Sequence, residues 1–114
     1  IPVQCEYYAI EGLSRLLETI NLVRQTLNPT LELEGVVLTM YSARLNLAQQ
    51  VVSEVKSFFG EKVFATVIPR NVRLAEAPSF GKSIFQYEPS SLAALAYRTL
   101  CDEVLRLRTR EPAS

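Results

Sequence analysis

The order of its segments predicts an α/β fold: a three-layer arrangement with a mainly parallel sheet and helices on both faces. Three observations point there. Segments of helical period alternate with short apolar runs, the pattern of parallel strands joined by right-handed crossovers. The run Gly35-Val36-Val37-Leu38-Thr39-Met40 is almost continuously apolar, as suits a strand covered on both sides. A second β-branched run, residues 63–68, stops at Pro69 and empties into a polar loop rich in arginine, asparagine, proline and glycine. Ligands in open α/β sheets sit beyond the carboxyl ends of such strands.

Residues 1–5 read as the tail of a strand that opens without a polar leader, so the chain is expected to be a piece of something longer, a single domain or part of one. Across residues 8–27, Ile10, Leu13, Leu16, Leu17, Ile20, Val23 and Leu27 recur at helical spacing, with Glu11 and Arg15 paired at i,i+4 on the outer face. Asn28-Pro29 closes that helix. The strand at 33–41 leads into a loop, 41–45, after which Asn46 is expected to cap a helix with Gln49 three residues on. Its buried face is Leu47, Val51, Val52, Val55 and Phe59, and Gly60 suits its end. Residues 83–87 read as a short extended piece ended by Pro89. Ser90 or Ser91 then caps a last helix that turns Leu92, Leu95, Ala96, Leu100, Val104 and Leu107 inward. Arg106, Arg108 and Arg110 complement its dipole, and residues 111–114 are expected to fray.

Composition narrows the chemistry. The 114 residues are 48% apolar and 21% charged, ordinary for a globular chain with a modest core. No apolar run approaches the ~20 residues of a bilayer span, and Ile1-Pro2-Val3-Gln4-Cys5 lacks the basic lead-in of a signal peptide. Twelve basic residues balance twelve acidic ones, so any nucleic-acid binding must come from a local patch. Cys5 and Cys101 are expected to be buried, reduced thiols of a cytoplasmic protein. The absence of histidine removes His-based acid–base catalysis, Ser-His-Asp triads and nearly every zinc site.

With strands 33–41 and 63–68 side by side, their carboxyl ends bring Thr39, Met40 and Arg44 near Pro69, Arg70, Asn71 and Arg73. Flat apolar contact, amides and guanidinium groups are the mixture that an adenine ring and its neighbourhood require. Pro69 is expected to end its strand and leave neighbouring carbonyls free for a ligand. An ordinary polar βα loop is the alternative reading. No GxxxxGK[ST] run occurs, and no strand ends in an Asp that could hold magnesium. Neither catalytic residues nor a metal site is expected, and the chain alone should not hydrolyse a nucleotide.

Three stretches carry a family resemblance. They are Ile1-Pro2-Val3-Gln4-Cys5-Glu6-Tyr7-Tyr8-Ala9-Ile10-Glu11-Gly12-Leu13, Gly35-Val36-Val37-Leu38-Thr39-Met40 and, above all, Val67-Ile68-Pro69-Arg70-Asn71-Val72-Arg73-Leu74-Ala75-Glu76-Ala77-Pro78-Ser79-Phe80-Gly81-Lys82. They resemble the ParA/Soj chromosome- and plasmid-partitioning ATPases, of the deviant Walker P-loop class that includes MinD. The resemblance covers essentially the whole chain and implies the C-terminal half of a doubly wound P-loop NTPase-like fold, whose P-loop, switch regions and magnesium-binding Asp precede Ile1. It implies ATP and Mg2+ as cofactors of the intact protein, none held tightly by this chain alone. Thr39, Met40, Pro69, Arg70 and Asn71 match the adenine-side wall, Arg44 and Arg73 match basic DNA-contacting positions, and Glu6 matches a segment facing the partner protomer of a homodimer. Non-specific DNA and a ParB-type protein are the implied partners, in the cytoplasm and on the nucleoid. Phe80 and Ser83 depart from the His and Pro often found in relatives, which should loosen the Lys82-Ser83 turn.

Two arginines neutralising two phosphates give a salt slope of only about −1.8, so useful DNA affinity requires the doubled contacts of a dimer. Two rivals remain at this point. A MinD-like membrane-associated ATPase would need a basic amphipathic C-terminal helix, but residues 92–110 end in arginines without Phe or Trp. A non-enzymatic half-domain binding through an exposed edge is the other. Either way, an edge strand that lacks its neighbours should make the isolated chain self-associate.

Overall fold

Eight regular elements follow one another in the computed structural model, which describes residues 1–6 and 8–110, with only the backbone of Arg110. Tyr7 and the expected frayed tail lie outside the described residues. The elements are β1 (Pro2–Gln4), α1 (Ala9–Thr26), β2 (Val36–Tyr41), α2 (Asn46–Phe59), β3 (Val63–Pro69), α3 (Val72–Glu76), α4 (Ile84–Tyr87) and α5 (Leu92–Arg110), with 3-10 turns at Gly60–Lys62 and Ala77–Phe80. The strands pair in parallel in the order β1-β2-β3, and the helices surround this sheet. The expected α/β class is present.

Pairing sets Val3 beside Leu38, Val36 beside Val63, and Leu38 beside Val67. The main core joins Val3, Val36 and Leu38 to Leu13 of α1 and to Ala48, Val51 and Val55 of α2, whose spacing places them along one helix stripe. Strand alternation turns Val37 and Thr39 to the opposite face, where they are half-buried. The two-sided covering expected of β2 is therefore complete on one face and partial on the other. Ile68, next to the core-packed Val67, is buried too, and α5 is the long helix that packs on β3. A smaller cluster beyond β3 joins Ile84, Ala93 and Ala94 with Leu74 and Tyr97.

Several local expectations change. The cap of α2 is Leu45, because the helix starts early enough to place Asn46 inside its first turn. Gln49 does reach back, donating from Nε2 to the Ala43 carbonyl at 3.0 Å. Gly60 ends α2 at φ 56°, a conformation that favours glycine. The piece expected to be extended at 83–87 is helix α4, closed by a capping box: Ser83 Oγ accepts from the Gln86 amide, and Gln86 Oε1 accepts from the Ser83 amide. That box holds the turn that Ser83 was expected to loosen.

Ser91 is the residue that caps α5, its hydroxyl oxygen accepting from the Ala94 amide at 3.0 Å. On α5 the buried residues are Ala93 and Ala94, whereas Leu92 and Leu95 are 71% and 57% exposed and Leu107 is also exposed. Small side chains let α5 lie close against Ile84, and the larger leucines are excluded from that contact. Ala96, Leu100 and Val104 are half-buried as expected. Leu16 of α1, Leu27 just past its end and Leu47 of α2 are exposed rather than inward. Cys5 is buried, and burial raises its thiol pKa, but Cys101 is exposed, contrary to expectation.

Gly35 sits where the main core and β3 meet. A Cβ built there would lie 2.5 Å from Cζ of Phe64, so the ring occupies the space a side chain would need. Gly35→Ala should cost about 1–3 kcal/mol in urea denaturation through overpacking, and less in a Phe64→Ala background. A neutral Gly35→Ala in the otherwise unchanged chain would contradict this packing.

Candidate functional site

The carboxyl ends of β2 and β3 do abut. Tyr41 lies opposite Pro69, and the Arg70 amide donates to the Tyr41 carbonyl at 2.9 Å. The ladder thus continues one residue beyond Pro69, and this neighbouring carbonyl is not left for a ligand as the proline had suggested. The loop after β2, with Arg44, and the segment after β3, with Arg70, Asn71 and Arg73, leave the same end of the sheet.

Between Leu38 and Tyr41, β2 advances three residues while β3 advances two, from Val67 to Pro69. The extra residue is a β-bulge, and Met40 sits in it at φ 53°, the left-handed region that non-glycine residues seldom occupy. Bulges re-aim side chains at the ends of strands, and such backbone persists only where surrounding pairing enforces it. Here the pairing is visible on both sides: the Cys5 amide donates to the Thr39 carbonyl at 3.0 Å, and Tyr41 is held by Arg70. Both Thr39 and Met40 are half-buried.

Asn71 is the cap of α3, its Oδ1 accepting from the Arg73 amide at 2.8 Å. Its side-chain carbonyl is thereby engaged, and its amide nitrogen is the group it can offer. Arg70 donates from Nη2 to Glu6 Oε1 at 3.2 Å, tying the segment after β1 to the segment after β3. Arg73 pairs with Glu76 Oε1 at 3.1 Å, and its guanidinium is held more firmly protonated, chiefly by Glu76 and further by Glu88 and Tyr87. Among the described residues no acid pairs with Arg44, which is exposed.

Two of the three rim arginines are therefore neutralised within the chain. The spacing of Arg73 and Glu76 was open to reading as i,i+3; the Glu6–Arg70 pair, 64 residues apart, had no local signal. Three surface grooves of about 610, 470 and 440 Å³ lie elsewhere: between β3 and α5, between α1 and α2, and along β1 and α1. Of the sequence-predicted residues, only Glu6 lines any of them. The Thr39–Met40 and Pro69–Asn71 turns meet through Tyr41, which lies opposite Pro69 and accepts from the Arg70 amide. Among the described residues no group of three His, Cys, Asp or Glu could hold a metal, and no helix is long and apolar enough to cross a membrane.

With this geometry in place, residues 4–84 match the family described as "CobQ/CobB/MinD/ParA nucleotide binding domain". The chain belongs to that family. The matched stretch runs from the end of β1 to the first residue of α4, so it includes both turns of the rim. The chain is 60% identical over 105 residues to the chromosome-partitioning ATPase Soj of Thermus thermophilus, covering 92% of this chain and 42% of that protein. It is 61% identical over 104 residues to the sporulation initiation inhibitor protein Soj of Bacillus subtilis, covering 91% and 41%. Against the chromosome partitioning protein ParA of Myxococcus xanthus the identity is 52% over 109 residues, covering 96% and 38%. The chain spans about two-fifths of the length of these curated relatives. The resemblance to ParA/Soj proteins noted from the three sequence stretches is thus upheld across most of the chain.

Glu6 and Arg70 are both about half exposed at their side chains, so their ion pair is well screened. A double-mutant cycle with Glu6→Gln and Arg70→Gln should give a coupling below about 1 kcal/mol that shrinks further as salt is raised. A coupling of several kcal/mol, insensitive to salt, would contradict an exposed pair.

Proposed function

We propose that this chain is the C-terminal part of a ParA-type ATPase that segregates chromosomes or plasmids, and that its rim is the adenine-side wall of the nucleotide site. The observation that supports this best is the Arg70 amide bonded to the Tyr41 carbonyl, which sets the Thr39–Met40 and Pro69–Asn71 turns side by side. Met40 and Pro69 offer apolar contact to a purine face, and the Asn71 amide offers a donor to its edge. These residues fit an adenine. They do not fit magnesium, because the nearby acids Glu6 and Glu76 are already paired with arginines. The phosphates and the metal belong to the portion of such a protein that this chain does not include, and ATP supplies the energy of the cycle when bound there.

DNA contact falls to Arg44 and Arg73. Arg44 is available as it stands, and Arg73 must exchange Glu76 for a phosphate. Charge alone makes a single rim weak, so binding depends on a homodimer that presents two rims together. Glu6 lies in the segment after β1 that faces the partner protomer in this reading, and its bond to Arg70 couples that face to the nucleotide wall. A ParB-type protein would act on the assembled dimer, in the cytoplasm on the nucleoid.

In the full-length protein, Arg44→Glu should abolish DNA binding in gel shifts and leave ATP-driven dimerisation, read by light scattering, intact. Arg73→Glu should weaken DNA binding less, since Glu76 already offsets its charge, and likewise leave dimerisation intact. Loss of both properties together, or unaffected DNA binding, would count against the assignment.

The isolated chain carries an exposed flank. β1 is an edge strand, and the groove beside it is lined by Ile1, Val3, Leu13 and Leu16 among others. In the proposed reading the intact protein would continue its sheet at this flank. At about 50 µM the 114-residue chain should therefore sediment as a dimer or larger species. A clean monomer would contradict an open flank at β1.

A further inference from the structure

The two edges of the sheet differ. At β3 the register with β2 slips: from Val36 to Leu38 the partner strand runs from Val63 to Val67. β3 carries two extra residues across this register shift, and two consecutive amides, Ala65 and Thr66, donate to the same acceptor. That acceptor is Glu103 of α5. Its Oε2 accepts from the Ala65 amide at 2.7 Å, and its Oε1 accepts from the Thr66 amide at 2.9 Å and from the Thr66 hydroxyl at 2.7 Å. Adjacent amides converging on one anion form a nest, here filled from within the chain.

From this geometry we infer that Glu103 is an edge guard: its carboxylate stands where a neighbouring strand would, closes the β3 edge, and, among the described residues, leaves β1 as the edge at which the sheet can grow. Backbone donors at an open edge template another chain, and a charged side chain placed across them is an effective block. The inference is independent of the proposed nucleotide and DNA roles, since neither Glu103 nor the β3 bulge belongs to the rim.

The electrostatics agree. Burial alone would raise the Glu103 pKa, but the hydrogen bonds from the Thr66 hydroxyl and from the Thr66 and Ala65 amides, helped by Arg106, leave it lowered. A carboxylate with a depressed folded pKa stabilises the fold above its ordinary value, and that contribution is lost as pH falls through the folded pKa. The other charged groups on this groove are Glu34, Glu61, Lys62 and Arg106. Glu34 also accepts from Arg108 Nε at 3.2 Å, which ties α5 to the segment before β2 as Glu103 ties it to β3.

Glu103→Ala should speed amide hydrogen exchange at Ala65 and Thr66 at least about tenfold. It should also convert the sedimentation profile from that of the unmodified chain to larger, open-ended species, because a second edge becomes available. Glu103→Gln, which keeps a single carbonyl acceptor, should fall between. Unchanged exchange at both amides, or a Glu103→Ala chain no more associated than the parent, would overturn the inference. If Glu103→Ala fails to fold, the unmodified chain decides. Its Ala65 and Thr66 amide proton shifts should follow one carboxylate titration with a midpoint below the ordinary glutamate value, unmoved by Glu34→Gln or Glu61→Gln. Shifts that stay flat, or that titrate at or above the ordinary value, would overturn it equally.

Discussion

Everything proposed for the rim depends on how β2 and β3 end together. A parallel ladder is evenly spaced only while both strands advance in step, and here they do not. β3 gains residues in its middle and β2 gains one at its end, so the strands finish level at Tyr41 and Pro69. One hydrogen bond beyond the proline then fixes the two following segments against each other. Proline at the last position of β3 explains why this works. It supplies no amide, but the next residue does, and the chain turns immediately into the Asn71 cap of α3. Strain at Met40 is the counterpart on β2, a left-handed residue held by pairing on both sides.

The charge pattern around that rim has a consequence for how such a protein could be switched. Glu6, Arg70, Arg73 and Glu76 are arranged as two exposed pairs, each of small net energy. Weak pairs exchange partners readily, so under the proposed function a phosphate or a second protomer would compete for either arginine without a large penalty. Arg44, unpaired among the described residues, needs no such exchange. An overall charge of zero is compatible with the proposed DNA contact, which would rest on a few local groups.

Much of the framework was legible beforehand, and the failures have physical causes. The strands β2 and β3 and the helices α1 and α2 announced themselves by period and by Gly60, and each exists near the expected bounds. That the ends of β2 and β3 meet, Tyr41 against Pro69 and Arg70, followed from parallel order alone. Helix α4 was missed because four residues cannot display a helical period; the Ser83…Gln86 spacing was the available signal. The inward face of α5 was misjudged because leucines outweigh alanines in any hydrophobic pattern, whereas close helix contact selects the small residues Ala93 and Ala94. Glu103 left no trace in the sequence, since its partners are backbone amides 37 and 38 positions away. The same holds for the Glu6–Arg70 pair and for the bulge at Met40, both products of tertiary register.

The most direct test of the account asks where a bound purine lies. The full-length protein would be photolabelled with 8-azido-ATP, and the modified peptides mapped by mass spectrometry. Labelling within residues 39–44 or 69–73, competed away by ATP, is the expected result. Competable labelling confined to α1, α2 or α5, with neither turn modified, would contradict the placement of the nucleotide at this rim.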